Sequence, residues 1–165
     1  MGVRERGPVT TIRRAVRGDV DLLARLNQVV HDLHVAERPD QFVAPTSNAV
    51  RHWFRDRLSE PTTRCWIAEV DGTPAGYVLA FHHARDGTTF TRAREWCEID
   101  QLAVAPEHRR QGIGLTLLET VIRDARERKV EGIEVSAWAF NADMHRLLGR
   151  AGFARKVLRF ELPPR

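Results

Sequence analysis

A basic turn with two glycines is the segment whose residue types most directly suggest chemistry. It reads R-R-Q-G-I-G from Arg109 to Gly114, after an apolar β-branched stretch and before an amphipathic one. Glycines permit a tight bend and leave backbone N–H groups uncovered, and the first turn of a helix adds unpaired N–H groups and the positive end of its dipole. The sequence therefore predicts an anion site, and a phosphate is the anion that we expect.

Two common phosphate motifs do not describe this turn. It lacks the Gly-Lys-Ser/Thr of a P-loop, and the segment from Gly112 to Leu117 has no third glycine where a dinucleotide-binding fold needs one. From spacing alone one alternative stays open, which is a plain helix start after a turn that is basic without binding a ligand.

The turn and a second segment downstream resemble a known family. Arg109-x-x-Gly112-x-Gly114 follows a stretch ending in Leu-Ala-Val-x-Pro, and this arrangement resembles the acyl-CoA signature of the GNAT superfamily of N-acetyltransferases. The segment from Asn141 to Phe153 resembles the family's next helix, which usually ends in Gly-Phe. The first half of the chain is similar only in the order of its predicted elements.

For acetyl-CoA, the resemblance implies contacts with three parts of the molecule. The pantetheine arm is expected to bind, mainly through backbone, to Leu102, Ala103 and Val104. The pyrophosphate is expected to be held by Arg109, Arg110, Gln111, Gly112, Ile113, Gly114 and Leu115, with Thr116 close by. The thioester end is expected to be flanked by Asn141, Met144 and Leu148. No metal is implied.

Acetyl transfer from a thioester to an amine needs a neutral amine, although a free amine titrates near a pKa of about 10. Glu98 occupies the strand position where several members of the resembling family carry a catalytic carboxylate, and Asp100 follows two residues later. The two side chains share a face of the strand unless a bulge intervenes. We predict both as catalytic or proton-relay residues, and the alternative is that they are exposed residues or partners of arginines.

The family's usual acid for the leaving thiolate is absent. Many members have a tyrosine four residues before the glycine of Gly-Phe, where this chain has Leu148, and Tyr77 is its only tyrosine. The thiolate would then be protonated by water, by the acceptor's own proton, or by a neighbour such as His145, Cys97 or a residue of the first half of the chain. This gap keeps a catalytically inactive CoA-binding or regulatory protein of the same fold as the alternative function.

The elements that must position these residues read β-α-α-β-β-β-α-β-α-β, an α/β domain over residues 9–162 after a tail, 1–8, that we predict to be flexible. This is also the element order of the GNAT fold, so we expect a mixed, mostly antiparallel central sheet with about four helices. Predicted strands cover 9–15, 64–70, 74–83, 95–105 and 133–137, with a final strand or hairpin over 153–162. Predicted helices cover 20–35, 48–58, 113–129 and a segment after Asn141.

Two histidines, His31 and His34, lie near the end of the first predicted helix. They need further ligands to hold a metal and none is obvious, so a polar helix end is the favoured interpretation. In the resembling family this helix and the loop after it line the acceptor cleft, which makes His34 and Asp40 weaker candidates for substrate contact.

Composition limits the partners. The formal charge is +4 and the pI about 9.8, but the 26 basic residues are spread among 22 acidic ones, so we expect no nucleic acid partner. No apolar run approaches the ~20 residues of a membrane span and the N-terminus lacks the apolar region of a signal peptide, so we expect no membrane partner and a cytoplasmic location. Cys65 and Cys97 have no disulfide or metal-site spacing and are expected to be buried.

Together these features predict an N-acetyltransferase that moves an acetyl group from acetyl-CoA to a primary amine by direct attack in a ternary complex. The acceptor stays open among a small polyamine, an aminoglycoside, an amino acid and a protein N-terminus. A homodimer is also left open, because dimers are common in the resembling family.

Overall fold

The computed structural model describes residues 9–162, in which one sheet lies between two pairs of helices. Its strands are β1 Thr10–Arg14, β2 Thr63–Val70, β3 Thr73–Arg85, β4 Arg94–Val104 and β5 Gly132–Val135. Its helices are α1 Val20–Glu37, α2 Ser47–Ser59, α3 Ile113–Glu127 and α4 Ala142–Arg150. The predicted α/β fold with a mixed sheet and four helices is confirmed.

The strands lie in the order β1-β2-β3-β4-β5, antiparallel except for the parallel pair β4 and β5. Asp71 and Gly72 make the hairpin turn between β2 and β3, with φ of +48° and +78°. A parallel pair needs a crossover connection, and α3 provides it by running between β4 and β5.

The core has two parts, one on each face of the sheet, because side chains alternate along each strand. The apolar stripes of α3 and α4 pack on one face, in a cluster that includes Val78, Ile99, Leu117, Leu118, Val121 and Leu148. The stripes of α1 and α2 pack on the other face, in a cluster that includes Leu23, Leu26, Phe54, Ile67, Tyr77 and Ala103.

Several predicted boundaries differ from the structure. The loop predicted over 84–94 is shorter, because β3 extends to Arg85 and β4 begins at Arg94, where the two residues pair. Strand β5 ends at Val135, so residues 136 and 137 of the predicted strand lie outside the sheet. These ends are set by where a neighbouring strand is available to pair, which the local pattern does not contain.

The predicted final strand or hairpin over 153–162 is wrong. This C-terminal segment has neither strand nor helix, and Val157 and Phe160 are 78% and 87% exposed. Alternating apolar residues favour a strand only when a neighbour supplies hydrogen bonds and a surface to cover. The predicted flexible tail, 1–8, lies outside the described residues. Within residues 9–162, no helix is long and apolar enough to cross a membrane.

Candidate active site

The candidate site is a gap between β4 and β5, where the two parallel strands separate. They pair only from Trp96 opposite Gly132 to Ile99 opposite Val135. Beyond this point β5 ends, whereas β4 continues to Val104 without a partner on that side among the described residues. A strand edge of this kind presents free backbone N–H and C=O groups to any molecule in the gap.

A β-bulge lies where the strands separate. Ile99 pairs with Ala80 and Gln101 pairs with Leu79, so Asp100 is the extra residue without a partner. Bulges change the direction of side chains, and here Asp100 and Gln101 both line one small cleft. Because this bulge interrupts the alternation of side chains along β4, Asp100 need not lie on the same face of the strand as Glu98.

Three other parts of the chain complete this cleft. The residues that line it are Val30 and His34 of α1, Asp100, Gln101 and Leu102 of β4, Ser136, Ala137 and Trp138 after β5, and Asn141 and Met144 at the start of α4. The structure thus brings together five of the residues predicted from the sequence, namely Asp100, Leu102, Asn141, Met144 and the weaker candidate His34. Asn141 also begins α4 as predicted, because its side-chain oxygen accepts a hydrogen bond of 3.1 Å from the N–H of Met144.

Aromatic rings pack together at one side of the cleft, which Trp138 and His34 line directly. The ring of Phe42, from the loop between α1 and α2, lies 5.4 Å from Trp138 and 5.1 Å from His34, both in edge-on contact. Phe140 stacks on Trp138 at 5.9 Å, and the guanidinium of Arg38 lies 5.2 Å from the Trp138 ring. We call Phe42, Trp138 and Phe140 the aromatic wall. Its members come from two separate loops, and the sequence contained no signal that they would meet.

Asp100 supplies the only carboxylate among the described residues that line the cleft. Asp100 is exposed overall, but desolvation by the surrounding protein raises the pKa of its carboxyl above the ordinary value, and the neighbouring charge of Glu98 raises it further. Arg57 and His83 act in the opposite direction. Asp100 is therefore a carboxylate whose charge would be stabilised by a cation entering the cleft.

Glu98 lies beside the cleft and not among the residues that line it. Its Oε2 is 3.0 Å from Nε2 of His83, although Nε2 does not have hydrogen-bond geometry to any described acceptor. The imidazole of His83 stacks on Trp96 with 4.9 Å between ring centroids. Glu98 is thus held against a histidine of the neighbouring strand β3. It is also close enough to Asp100 for the negative charge of Glu98 to oppose ionisation of Asp100.

The single tyrosine is unavailable as a proton donor to the cleft. Tyr77 is fully buried, and its hydroxyl donates to Oε1 of Gln101 at 2.7 Å while it accepts from Nδ2 of Asn27 at 3.0 Å. Burial raises the pKa of this phenol. Asn27 also donates to Gln101 at 3.2 Å, so a buried polar network holds one side of Gln101 beside the cleft. Sequence analysis missed this network because its members are far apart in the chain.

The other candidate acids lie in unsuitable places. The position of the family's usual tyrosine holds Leu148, which has no acidic proton, is 9% exposed and packs in the core. His145 is exposed and its Nε2 is 3.0 Å from the carbonyl oxygen of Trp138. Cys97 is buried, as predicted, and burial raises the pKa of its thiol to about 11. No donor for the thiolate is therefore evident among these groups.

The predicted phosphate turn has an open backbone. Arg110 and Gly112 adopt left-handed conformations, with φ of +61° and +83°, and Gly112 directly precedes α3. No described side chain caps the first N–H groups of this helix. The side chains of Arg109 and Arg110 are exposed, and Nε of Arg109 donates to the carbonyl oxygen of Val104 at 3.3 Å. Unpaired N–H groups, a dipole and exposed arginines make this turn suitable for an anion.

Some predicted contacts can involve only the backbone. The side chains of Ala103 and Ile113 are buried in the core, so only their N–H and C=O groups can meet a ligand. Gly114 lies against α4, where an added Cβ would be 3.0 Å from the side chain of Leu147. The described residues contain no group of three or more His, Cys, Asp and Glu that could hold a metal ion.

The chain is similar to acetyltransferases of known sequence and structure. A family model described as Acetyltransferase (GNAT) family matches residues 27–153. An uncharacterized N-acetyltransferase from Archaeoglobus fulgidus is 31% identical over 119 residues, which cover 71% of this chain and 74% of that protein.

Two solved structures have the same fold. A mutant of the BH1408 protein from Bacillus halodurans has a TM-score of 0.88 at 23% identity, covering 93% of this chain and 99% of that one. A predicted acetyltransferase from Clostridium acetobutylicum, solved with acetyl-CoA, has a TM-score of 0.70 at 18% identity, covering 94% and 96%. Because the family model matches most of the chain and the fold agrees, this protein belongs to the GNAT family of acetyltransferases.

Proposed function

We propose that the chain transfers an acetyl group from acetyl-CoA to a primary amine, by direct attack of the amine in a ternary complex. The observation that carries this proposal is the cleft between the separated strands β4 and β5, with Asp100 at the point of separation. Both substrates held in one cleft would react as if in one molecule, which can supply a large part of the rate enhancement.

The proposed position of acetyl-CoA follows the free edge of β4. Leu102 and Val104 belong to the stretch without a β5 partner, where backbone groups can bind the amides of the pantetheine arm. From there the path reaches the turn with Arg109 and Gly112, whose uncapped helix start suits the pyrophosphate. When bound, acetyl-CoA supplies the thioester that the amine attacks, and the residues of this chain orient the two groups.

The proposed role of the carboxylates is to draw the amine in and to relay its proton. Asp100 lines the cleft and favours a cation, so it would attract the ammonium form of an acceptor. Glu98 would act from the adjacent position, directly or through water, as in the resembling family. The acceptor class stays open, although the aromatic wall suits an amine that carries an apolar or aromatic group.

We also propose a homodimer formed through the C-terminal segment, residues 153–162, with a second copy of the chain as the partner. Val157, Leu158, Phe160 and Leu162 are 63% to 94% exposed, and exposed apolar clusters mark interfaces. Within the described residues β5 pairs on one side only, so its free edge could accept an extended segment from a second copy.

Light scattering should give twice the mass of the chain for the wild type, and the mass of the monomer for Phe160→Ser. A monomeric wild type would overturn the proposed dimer.

The first test is binding. At about 100 times its dissociation constant a ligand adds about 2.7 kcal/mol of stability, which for this chain length raises the thermal midpoint by roughly 5–10 °C. We expect this rise with acetyl-CoA and little change with ATP, which controls for phosphate alone. No rise at saturating acetyl-CoA would overturn the proposed function.

The second test is turnover. Release of free CoA thiol would be followed with spermidine, kanamycin, lysine and a peptide with a free N-terminus. We expect release with at least one acceptor class and a loss of about 100-fold or more in Glu98→Gln. Binding of acetyl-CoA without turnover of any amine would favour the catalytically inactive alternative, which the absence of an evident proton donor keeps open.

A further inference from the structure

The side chain of His34 has a defined hydrogen-bonding arrangement at the edge of the cleft. Its Nδ1 lies 2.7 Å from the carbonyl oxygen of Val30, one turn earlier on α1. A carbonyl oxygen only accepts hydrogen bonds, so Nδ1 must carry the hydrogen. In the neutral ring the lone pair is then on Nε2, which lies on the opposite side of the imidazole from the helix backbone.

Nε2 of His34 is available to a ligand. It has no hydrogen-bond partner among the described residues and is not one of their buried polar atoms without a partner, so it is accessible, and His34 is one of the residues that line the cleft. The ring is held between two members of the aromatic wall, 5.1 Å from Phe42 and 5.6 Å from Phe140. A proton acceptor with a fixed orientation therefore lies in the same cleft as Asp100.

Two other described histidines show the opposite arrangement. His31, on the same helix, places Nε2 at 2.7 Å from the carbonyl oxygen of Val43, and His145 places Nε2 at 3.0 Å from that of Trp138. In both rings Nε2 must carry the hydrogen and is occupied by the contact. Of the three histidines that contact a backbone carbonyl in the described residues, only His34 has a free Nε2.

We propose that His34 is a catalytic base that takes a proton from the acceptor amine, an inference that rests on the proposed acetyl transfer. The bound ammonium first gives one proton to Nε2 of His34. The neutral amine nitrogen then forms its bond to the acetyl carbon, and the bond between that carbon and sulfur breaks. The second proton that the nitrogen loses passes to the thiolate, directly or by the carboxylate relay proposed above, and His34 returns its proton to solvent. The products are the amide and free CoA thiol, so atoms and charge balance.

The surroundings of His34 suit this role. Imidazole is the side chain whose ordinary protonation equilibrium lies nearest neutral pH, whereas a carboxylate is a much weaker base. Asp100 is the charged group that β4 contributes to the cleft. Arg38, directly after α1, is already paired with Asp40 and Glu161. The residues that the loop after β5 and the start of α4 contribute to the cleft are uncharged.

The tautomer gives a test that needs no acceptor. In protein labelled with ¹⁵N in histidine, long-range ¹H–¹⁵N correlation spectra distinguish a protonated Nδ1 from a protonated Nε2. We expect His34 to be protonated on Nδ1 and His31 on Nε2, with each signal assigned by its asparagine variant. Protonation of His34 on Nε2 would overturn the proposal.

The kinetic test uses two variants that remove Nε2 in different ways. His34→Asn keeps a donor near the position of Nδ1, and His34→Phe keeps a ring against the aromatic wall. The probes are benzylamine, whose amine is protonated at neutral pH, and aniline, whose amine is not. We expect both variants to lower kcat/KM for benzylamine about 100-fold and to leave aniline nearly unaffected, because a neutral amine needs no base before attack.

The controls separate this inference from the proposed function. His52→Asn changes an exposed histidine of α2 and should match the wild type. Both His34 variants should keep the thermal shift with acetyl-CoA. Equal losses with benzylamine and aniline would indicate a structural role, and a wild-type rate with benzylamine would show that His34 is not the base. The absence of thiol release with both amines and every amine of the turnover panel would overturn the proposed function and this inference together.

Discussion

Gly72 and Gly112 adopt nearly the same left-handed backbone conformation, with φ of +78° and +83°, but they serve different elements. Gly72 completes the turn between β2 and β3, and Gly112 precedes α3. At both positions an added Cβ would have no described atom within 4 Å, so the cost of a side chain is conformational. Each glycine to alanine change should therefore destabilise the protein by about 1–2 kcal/mol, as measured by urea unfolding.

Only Gly112→Ala should also weaken acetyl-CoA binding, because its Cβ would stand where the pyrophosphate approaches the first N–H groups of α3. We expect its dissociation constant, measured by calorimetry, to rise at least tenfold, which corresponds to about 1.4 kcal/mol. Gly72→Ala is the matched control with the same backbone strain. Equal dissociation constants for the two variants would contradict the phosphate site.

Asp100→Asn should make the protein more stable and less active. Folding raises the pKa of Asp100, so the ionised carboxylate lowers the free energy of unfolding above the ordinary pKa of about 3.9. Thermal midpoints should therefore be higher for the variant at pH 7. The difference should shrink as the pH falls through the raised pKa of the folded protein and should vanish below about 3.9. We expect an activity loss of about 100-fold with cationic amines.

The control for this prediction is Asp56→Asn, which changes an exposed carboxylate of α2 away from the cleft. It should alter neither the midpoint nor the activity. A lower midpoint for Asp100→Asn at pH 7 would show that the carboxylate is stabilised in the folded protein, contrary to the environment described above.

Asp19 should contribute stability that depends on pH. Its carboxylate accepts two hydrogen bonds of 2.8 Å from the guanidinium of Arg13 and one of 2.8 Å from the N–H of Val16. The bonds from Arg13 lower the pKa of Asp19, and the N–H of Val16 lowers it further. Stability from this group is therefore present above the ordinary pKa of aspartate and is lost as the pH falls through the lowered value.

We expect Asp19→Asn to cost about 2 kcal/mol in urea unfolding at pH 7 and progressively less on acidification. Asp143→Asn is the comparison, because Asp143 pairs with Arg146 at an exposed position of α4. Exposed pairs of this kind are worth at most about 1 kcal/mol. Similar losses for both variants at pH 7 would argue against a special role for the Arg13 contact.

Neither cysteine should react in the native protein. Cys65 and Cys97 are 1% and 6% exposed, and burial raises the pKa of their thiols to about 12 and about 11. Because the thiolate is the reactive form, Ellman's reagent should detect no thiol at neutral pH and two per chain in guanidinium. A rapid reaction of the native protein with Ellman's reagent would contradict this burial. If the native protein does not react, the thiol measured in the turnover assay comes from CoA alone.

Much of the fold could be predicted from the sequence because its signals are local. The turn at Asp71 and Gly72 and the cap at Asn141 depend on residues only a few positions apart. The helices followed from apolar spacing, and the phosphate turn from two glycines and two arginines beside a helix start. These signals, with the family resemblance, were sufficient to assign the fold class and to name most of the residues now proposed to contact acetyl-CoA.

The cleft could not be predicted in the same way, because it depends on register and packing between distant segments. A one-residue bulge against β3 determines where Asp100 points, and the end of β5 determines where the gap opens. The aromatic wall joins Phe42 to Trp138, and the free nitrogen of His34 depends on a contact with its own helix. The sequence by itself therefore determined most of the secondary structure and the family, and it led to the prediction of a phosphate turn. Only the tertiary structure decided which side chains share the cleft, since that depends on contacts between residues far apart in the chain.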